Sequence, residues 1–120
     1  MNKLNLDNII DLTVKNNGGT FNLHNIDIST TTGYVVAIKG FEKIVAIDNF
    51  NKSAISEYIE ENLPVFLQYP EAHLGTWVHE GNVYLDISKV YQNENIAISI
   101  AKQQGEIAIF NLEKLESVYL

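Results

Sequence analysis

Residues 74–88 constrain the fold of this chain more than any other segment, because they predict a β-hairpin with a defined register. Leu74–Val78 and Val83–Ser88 are strand-like segments rich in apolar and β-branched residues. Glu80-Gly81 between them supplies a two-residue turn. That turn sets the pairs Val78 with Val83, Trp77 with Tyr84, Thr76 with Leu85 and Gly75 with Asp86.

The predicted register divides the side chains of the hairpin between two faces. One face is apolar and is expected to join the core: Leu74, Thr76, Val78, Val83, Leu85 and Ile87. The other face carries Trp77, His79, Tyr84, Asp86 and Ser88. Two interpretations of this second face remain open. Either a helix covers it and its aromatic residues belong to the core, or it is exposed and binds a partner, since amphipathic aromatics are enriched in binding hot spots.

Three other segments have the apolar spacing of amphipathic helices. We predict helices near residues 5–16, 52–63 and 94–104. Each begins beside a residue suited to an N-cap: Asn5 or Asp7, Asn51 or Ser53, and Asn93.

The ends of these helices are also marked in the sequence. Gly18-Gly19 and Gly105 are predicted to end the first and third helices. Pro64 is predicted either to end the second helix or to start a short new turn. The third helix is expected to bury an apolar stripe of Ile96, Ala97, Ile100 and Ala101.

The remaining periodic segments predict strands. Phe21 and Leu23 alternate with polar neighbours, and Ile26 and Ile28 resume that alternation after a predicted bulge or turn near His24-Asn25. A loop over Ser29–Gly33 precedes Tyr34–Lys39 and Lys43–Asp48, which are expected to pair as a hairpin around Gly40. Strands over Ile107–Leu112 and Val118–Leu120 complete the chain. The order αβββαββαββ predicts one α+β domain, residues 1–120, with a mainly antiparallel sheet.

The composition limits the classes of function. A chain of 120 residues with 46% hydrophobic residues can bury one core of its own. The absence of cysteine excludes disulfides, zinc-thiolate sites and thiol nucleophiles. The formal net charge is −7 and the eight basic residues are all lysine. Direct nucleic-acid binding is therefore disfavoured, both by the sign of the charge and by the lack of the bidentate arginine side chain.

The sequence contains no readable export signal and no apolar run long enough to span a membrane. Met1–Asp11 has no basic segment followed by the apolar run of an export signal. Apolar runs such as Tyr34–Ile38 are far shorter than the roughly 20 residues that cross a bilayer. We therefore predict a cytoplasmic location and no membrane partner.

Several short pieces of the sequence resemble a family of small single-domain proteins encoded by bacteriophages, mobile elements and some bacterial chromosomes. The pieces lie within residues 18–112: Gly18-Gly19-Thr20-Phe21, Thr32-Gly33-Tyr34-Val35-Val36, Gly75-Thr76-Trp77-Val78, Val83-Tyr84-Leu85-Asp86-Ile87-Ser88 and Ala108-Ile109-Phe110-Asn111-Leu112. The resemblance implies the cytoplasm of a bacterial host as the setting and brings no catalytic residues. Small acidic phage proteins often resemble inhibitors of host defence in size and charge, which makes an anti-CRISPR-like inhibitor one concrete expectation.

The histidines are the candidates for chemistry at neutral pH. His73, His79 and Asp86 lie around the predicted hairpin, so a cleft there is a hypothesis for a small-ligand site or a minor enzyme. The two histidines are six positions apart, which is roughly 20 Å along an extended strand, unless residues 70–74 fold back. That spacing is unlike a metal site, so we expect solvated histidines, no metal and no cofactor.

The leading hypothesis is a non-enzymatic, acidic protein-binding module that occupies a basic surface on its partner. The candidate contact residues are the second face of the hairpin and the acidic side of the second helix: Trp77, His79, Tyr84, Asp86, Glu57, Glu60 and Glu61. We expect a monomer or weak homodimer without catalytic residues. A phage structural or regulatory accessory protein is a further alternative.

Overall fold

The computed structural model describes residues 5–23, 30–69 and 71–120, and within these ranges the chain forms four helices and seven strands. The helices are α1 Leu6–Asn16, α2 Lys52–Glu61, α3 Leu63–Gln68 and α4 Glu94–Gln103. The strands are β1 Gly18–Asn22, β2 Tyr34–Ala37, β3 Lys43–Ala46, β4 Ala72–His79, β5 Asn82–Tyr91, β6 Ala108–Asn111 and β7 Glu116–Tyr119. Every pairing between these strands is antiparallel, which confirms the predicted α+β fold.

The sheet is built around β5, the longest strand. One edge of β5 pairs with β4, and the other edge pairs with β3 near the start of β5 and with β2 near its end. Outside this centre, β1 extends the sheet beyond β4, and β6 and β7 extend it beyond β2. The sheet order is therefore β1-β4-β5-β2-β6-β7, with β3 in line with β2 on the same edge of β5.

The turn between β4 and β5 has the predicted chemistry. Glu80 and Gly81 both have positive φ, 48° and 78°, which is the conformation of a type I′ turn. The register is also confirmed, since Val78 pairs with Val83, Trp77 with Tyr84 and Gly75 with Asp86.

The predicted hairpin between residues 34–39 and 43–48 is wrong. Ile38 donates its amide hydrogen to the carbonyl of Ile87 and so continues the ladder between β2 and β5. The chain then leaves the sheet and returns at Lys43, which pairs with Leu85. β2 and β3 thus share one edge of β5 and do not turn back on each other, because β6 occupies the free edge of β2.

All four described helices pack on one face of the sheet. Three buried side chains of α2, those of Ile55, Tyr58 and Ile59, share a cluster with Leu74, Leu85 and Ile87 of the hairpin. α1 and α3 join the same cluster through Ile9 and Phe66. α4 covers the neighbouring part of this face, where Ala97 and Ala101 pack against Val36 and Ile109.

The helix starts follow the predicted caps. The side-chain oxygens of Asn5, Asn51 and Asn93 each accept from the amide three residues later, at Asn8, Ala54 and Ile96. α2 ends at Glu61, and α3 begins at Leu63 with Pro64 in its first turn, so the proline starts a new helix.

Two predicted details of the helices are corrected. The left-handed residue that ends α1 is Asn17, with φ 60°, and Gly18 already belongs to β1. Gly18 serves close packing there, since a Cβ would lie 2.6 Å from the carbonyl oxygen of Thr76. Ile96 is not buried but 50% exposed, because the small residues Ala97 and Ala101 form the contact surface of α4. Gly105, with φ 75°, follows α4 as predicted.

Some predictions lie outside the described residues. These are the bulge near His24-Asn25, the strand residues Ile26 and Ile28, and the loop residue Ser29. The rest of that loop, residues 30–33, forms neither helix nor strand, and Thr30 donates its amide hydrogen to the carbonyl of Thr20. None of the helices in residues 5–23, 30–69 and 71–120 has the length and apolar character needed to span a membrane.

The core assignment gives a first testable prediction. Leu85 is completely buried at the centre of β5, so Leu85→Ala should lower the free energy of unfolding by about 2–5 kcal/mol in urea titrations. The control is Ile44→Ala, whose side chain is 54% exposed on the opposite face and which should cost less than about 1 kcal/mol. Equal losses in the two variants would contradict this division of the sheet into a buried and an exposed face.

Candidate functional site

The second face of the hairpin is exposed near the turn, around Trp77, whereas Ser88 at its other end is buried. Trp77, His79, Tyr84 and Asp86 alternate along β4 and β5 with the core residues, so they point away from the helices. No described helix packs on this side, and Trp77 is 55% exposed. Of the two interpretations, the structure therefore supports the exposed surface. We call the part of this surface that contains Trp77, His79, Tyr84 and Asp86, with the adjoining residues of β3, the open face; it excludes the buried His73 and Ser88.

Three rings on the open face form one cluster. Trp77 and His79 are stacked, with centroids 4.9 Å apart and planes inclined by 16°. Tyr84 lies across from Trp77 in the register, with its centroid 5.4 Å from Trp77 and 6.4 Å from His79. We call Trp77, His79 and Tyr84 the aromatic cluster. Such contacts hold rings in fixed relative positions, so the cluster is ordered before any partner binds.

The structure adds a residue to this surface that sequence reasoning missed. Ile44 of β3 pairs with Tyr84 and is 54% exposed, so it extends the row of Trp77 and Tyr84 by one apolar side chain. The apolar alternation of residues 43–46 indicated a strand, but only its pairing with β5 shows that Ile44 lies beside the aromatic cluster.

Asp86 lies two residues after Tyr84 along β5, so its side chain is on the same side of the sheet as the aromatic cluster. It is partly buried. Its carboxylate covers Gly75 of β4 so closely that a Cβ on Gly75 would overlap Oδ1. Burial, and secondly the negative charge of Glu42, raise the pKa of Asp86 to about 6. Within the described part of the chain, no cation or hydrogen-bond donor offsets these two effects. The charged form of Asp86 is therefore disfavoured by its surroundings.

The expectation of solvated histidines is wrong for His73, because this side chain lies on the continuous strand β4 among packed residues, unlike the exposed His79. His73 is buried, and its Nδ1 lies 2.8 Å from the carbonyl oxygen of Glu71, to which it donates when Nδ1 carries the proton. Burial lowers the pKa of His73, and this hydrogen bond opposes the shift only in part. The neighbouring Ser88 across the strand pair is also buried, and its Oγ has no hydrogen-bond partner among the described residues.

The histidines do not form one site. β4 is continuous from Ala72 to His79, so His73 and His79 lie at its two ends, about 20 Å apart. The chain does not fold back between them, and His73, His79 and Asp86 do not converge on a cleft. Residues 5–23, 30–69 and 71–120 contain no group of three or more His, Cys, Asp or Glu side chains positioned to hold a metal ion.

The acidic helix face and the aromatic cluster are also separate. Glu57, Glu60 and Glu61 are exposed on α2, as predicted, but α2 covers the other face of the sheet. Glu61 pairs with Lys43 at 3.4 Å. The carboxylates nearest the aromatic cluster belong to other residues: Asp86 one row away, Glu42 beside Asp86, and Glu80 at 3.7 Å from Nε2 of His79.

Comparison with known proteins yields no relatives: no family model matches the chain, and no curated protein or solved structure matches it significantly. The resemblance to small phage-encoded proteins therefore stays a prediction from the sequence. The site itself must carry the functional argument.

The raised pKa of Asp86 predicts how its substitution changes stability. A carboxyl that titrates near pH 6 in the fold and near 3.9 in the unfolded chain stabilises the fold below about pH 4, and this contribution is lost as the pH rises through 6. Asp86→Asn should therefore be more stable than the wild type at pH 8, by up to about 3 kcal/mol. The difference should shrink towards zero at pH 4.

Urea unfolding of both proteins at pH 4 and pH 8 measures this effect. Glu60→Gln is the matched control, because it also removes one negative charge but from an exposed helix position. It should change the free energy of unfolding little at either pH. A difference between wild type and Asp86→Asn that is the same at both pH values would contradict the assignment.

Proposed function

We propose that this protein is a non-enzymatic binding module that contacts another protein through its open face. The observation that carries the proposal is the half-exposed Trp77, stacked on His79 and packed beside Tyr84 on a sheet surface without a described covering helix. Tryptophan and tyrosine are the residues most enriched among those that dominate binding energy.

The rigidity of the surface supports this proposal. The three rings stand on β4 and β5, which have the most extensive pairing in the sheet. Rings already fixed by stacking lose little rotamer freedom on binding, so more of their contact energy is available for affinity. Ile44 and the aromatic rings together offer apolar area, and the carboxylates of Glu42, Glu80 and Asp86 surround it.

The charge of the chain favours a basic partner surface. A net charge of −7 without any arginine attracts positive protein surfaces and repels nucleic acid. Glu57 and Glu60 on α2 contribute to this long-range attraction from the opposite side of the sheet, without direct contact. The family resemblance adds one concrete version, an inhibitor that occupies a basic surface of a host defence protein, as an anti-CRISPR does.

The alternative of a small-ligand site or minor enzyme near His73, His79 and Asp86 has less support. His73 is buried and lies at the far end of β4 from His79. A role as a phage structural or regulatory accessory protein is compatible with the same binding surface and differs only in the partner.

The proposal predicts which substitutions weaken capture of the partner. Trp77→Ala and Tyr84→Ala should each weaken binding by more than about 1 kcal/mol, roughly fivefold or more, with little change in the melting temperature. The tagged protein and its variants are compared as baits in an extract of its natural host, with bound proteins quantified by mass spectrometry.

Tyr119→Ala is the matched control for this experiment, since Tyr119 is an aromatic residue that is 77% exposed on β7, away from the aromatic cluster. A partner that binds wild type and Tyr119→Ala alike but is lost from Trp77→Ala and Tyr84→Ala supports the proposal. If every stoichiometric partner is retained by both cluster variants, the open face is not the binding surface.

The charge argument gives a separate prediction about rates. The association rate with the captured partner should fall as salt rises, because attraction between exposed charges is screened over about 8 Å at physiological ionic strength. The double reversal Glu57→Lys, Glu60→Lys should lower the association rate and leave the dissociation rate unchanged, since α2 makes no contact in this arrangement. Surface plasmon resonance measures both rates. An association rate that is insensitive to salt and to the reversal would show that electrostatic attraction does not accelerate binding.

A further inference from the structure

Lys89 of this protein contacts both an aromatic ring and a carboxylate. Nζ of Lys89 lies 4.3 Å from the ring centroid of Tyr69 and 3.4 Å from Oε1 of Glu71. The ring face attracts the cation through its quadrupole, and the carboxylate neutralises it. The three residues meet where the segment after α3 leads into β4.

Among the described residues, the open face contains the same two components without a cation. Trp77 and Tyr84 provide the rings, and Asp86 provides a carboxylate one row away, about 7 Å along β4 through its partner Gly75. No lysine in the described ranges lies over either ring. Lys43 of β3 and Lys89 of β5 form ion pairs elsewhere, with Glu61 and Glu71 respectively.

We infer that the open face binds an arginine side chain of the partner protein, with its guanidinium stacked on the Trp77 and Tyr84 rings and hydrogen-bonded to Asp86. The inference rests on the proposed function and names the chemistry of its central contact. Because the chain contains no arginine, an arginine in this site must come from another molecule.

Arginine suits these groups better than lysine does. Its guanidinium is planar and weakly hydrated, so it stacks on a ring and still presents a fork of N–H donors at its edge. His79 is stacked on one face of the Trp77 ring, so the guanidinium stacks on the opposite face. The Asp86 carboxylate, held against Gly75 beside that face, accepts the edge donors. A lysine ammonium has no plane to stack and no fork to match the carboxylate.

The environment of Asp86 is consistent with a missing cation. In the free protein, burial and the charge of Glu42 both disfavour its ionised form, which raises its pKa. A guanidinium beside the carboxylate would reverse that effect, since an opposite charge within about 4–6 Å favours ionisation. The free energy that the isolated protein loses by ionising Asp86 is thus recovered when a cation binds.

The protein has a built-in reporter for the test, because Trp77 is its single tryptophan. Tryptophan fluorescence is titrated with three capped tetrapeptides, made of arginine, lysine or the neutral isostere citrulline. The arginine peptide should change the fluorescence saturably and bind about fivefold or more tightly than the lysine peptide. The citrulline peptide should leave the fluorescence unchanged.

Two matched variants separate local contact from net charge. Asp86→Asn should weaken the arginine peptide by about fivefold or more, whereas Glu60→Gln, which removes the same charge from α2, should leave the affinity close to wild type. Asp86→Asn is expected to be at least as stable as the wild type at pH 8, so its loss of binding would not reflect unfolding. Tyr84→Leu should weaken the arginine peptide as well.

Three results would overturn the inference. They are equal affinity for the arginine and lysine peptides, equal weakening by Asp86→Asn and Glu60→Gln, and no fluorescence response to the arginine peptide up to roughly millimolar concentration. None of these three results contradicts the proposed function, which is tested separately by loss of the captured partner from Trp77→Ala. If partner capture depends on Trp77 while the arginine peptide fails to bind, the proposed binding function is supported and the central contact is not with an arginine.

Discussion

The structure depends on the pairing of β5 along both of its edges. The turn at Glu80-Gly81 fixes the register with β4, and the same strand then sets the register of β3 and β2 on its other edge. Because side chains alternate, a slip of one residue would send Leu85 to solvent and Tyr84 into the core. The tight turn therefore determines more than a local hairpin. It decides which residues of these four strands face the core and which face the opposite side of the sheet.

The distribution of the helices follows from the same alternation. The buried residues of α1, α2 and α3 share one cluster with the hairpin, and those of α4 share a second cluster with β2 and β6, so all four helices cover the same face of the sheet. Tyr58 links α2 to the segment between β2 and β3, since its hydroxyl donates to the carbonyl of Phe41 in that segment. Burial, with further contributions from nearby carboxylates, raises the pKa of this hydroxyl, so it stays a donor at any physiological pH. The open face thus lies on the side of a two-layer fold to which the chain supplies no described helix.

The sequence predicted features whose causes are local, and it missed those that depend on distant partners. The register of β4 and β5 follows from two turn residues, and the caps of the helices follow from Asn5, Asn51 and Asn93. The pairing of β2 and β3 was predicted wrongly, because nearby strands usually pair and nothing in residues 34–48 indicates that β5 is a better partner for both. Ile44 was missed for the same reason. Glu57, Glu60 and Glu61 were correctly assigned to an exposed helix face, but only the packing of α2 shows that this face lies away from Trp77.

Leu85 and Asp86 are neighbours in β5 and have opposite effects on the stability of the fold. Leu85 is completely buried among apolar side chains and contributes directly to the core. Asp86 carries a carboxylate into a partly buried position beside Glu42, where a neutral side chain of the same shape would fold at least as well. Gly75 leaves the space that this carboxylate occupies, since any larger residue would collide with it. Gly75 and Asp86 thus hold a carboxylate whose charge does not stabilise the fold. This carboxylate lies next to aromatic rings that are not part of the core. Such an arrangement is understandable if the charge is completed by another molecule, as the proposed contact with an arginine of the partner requires.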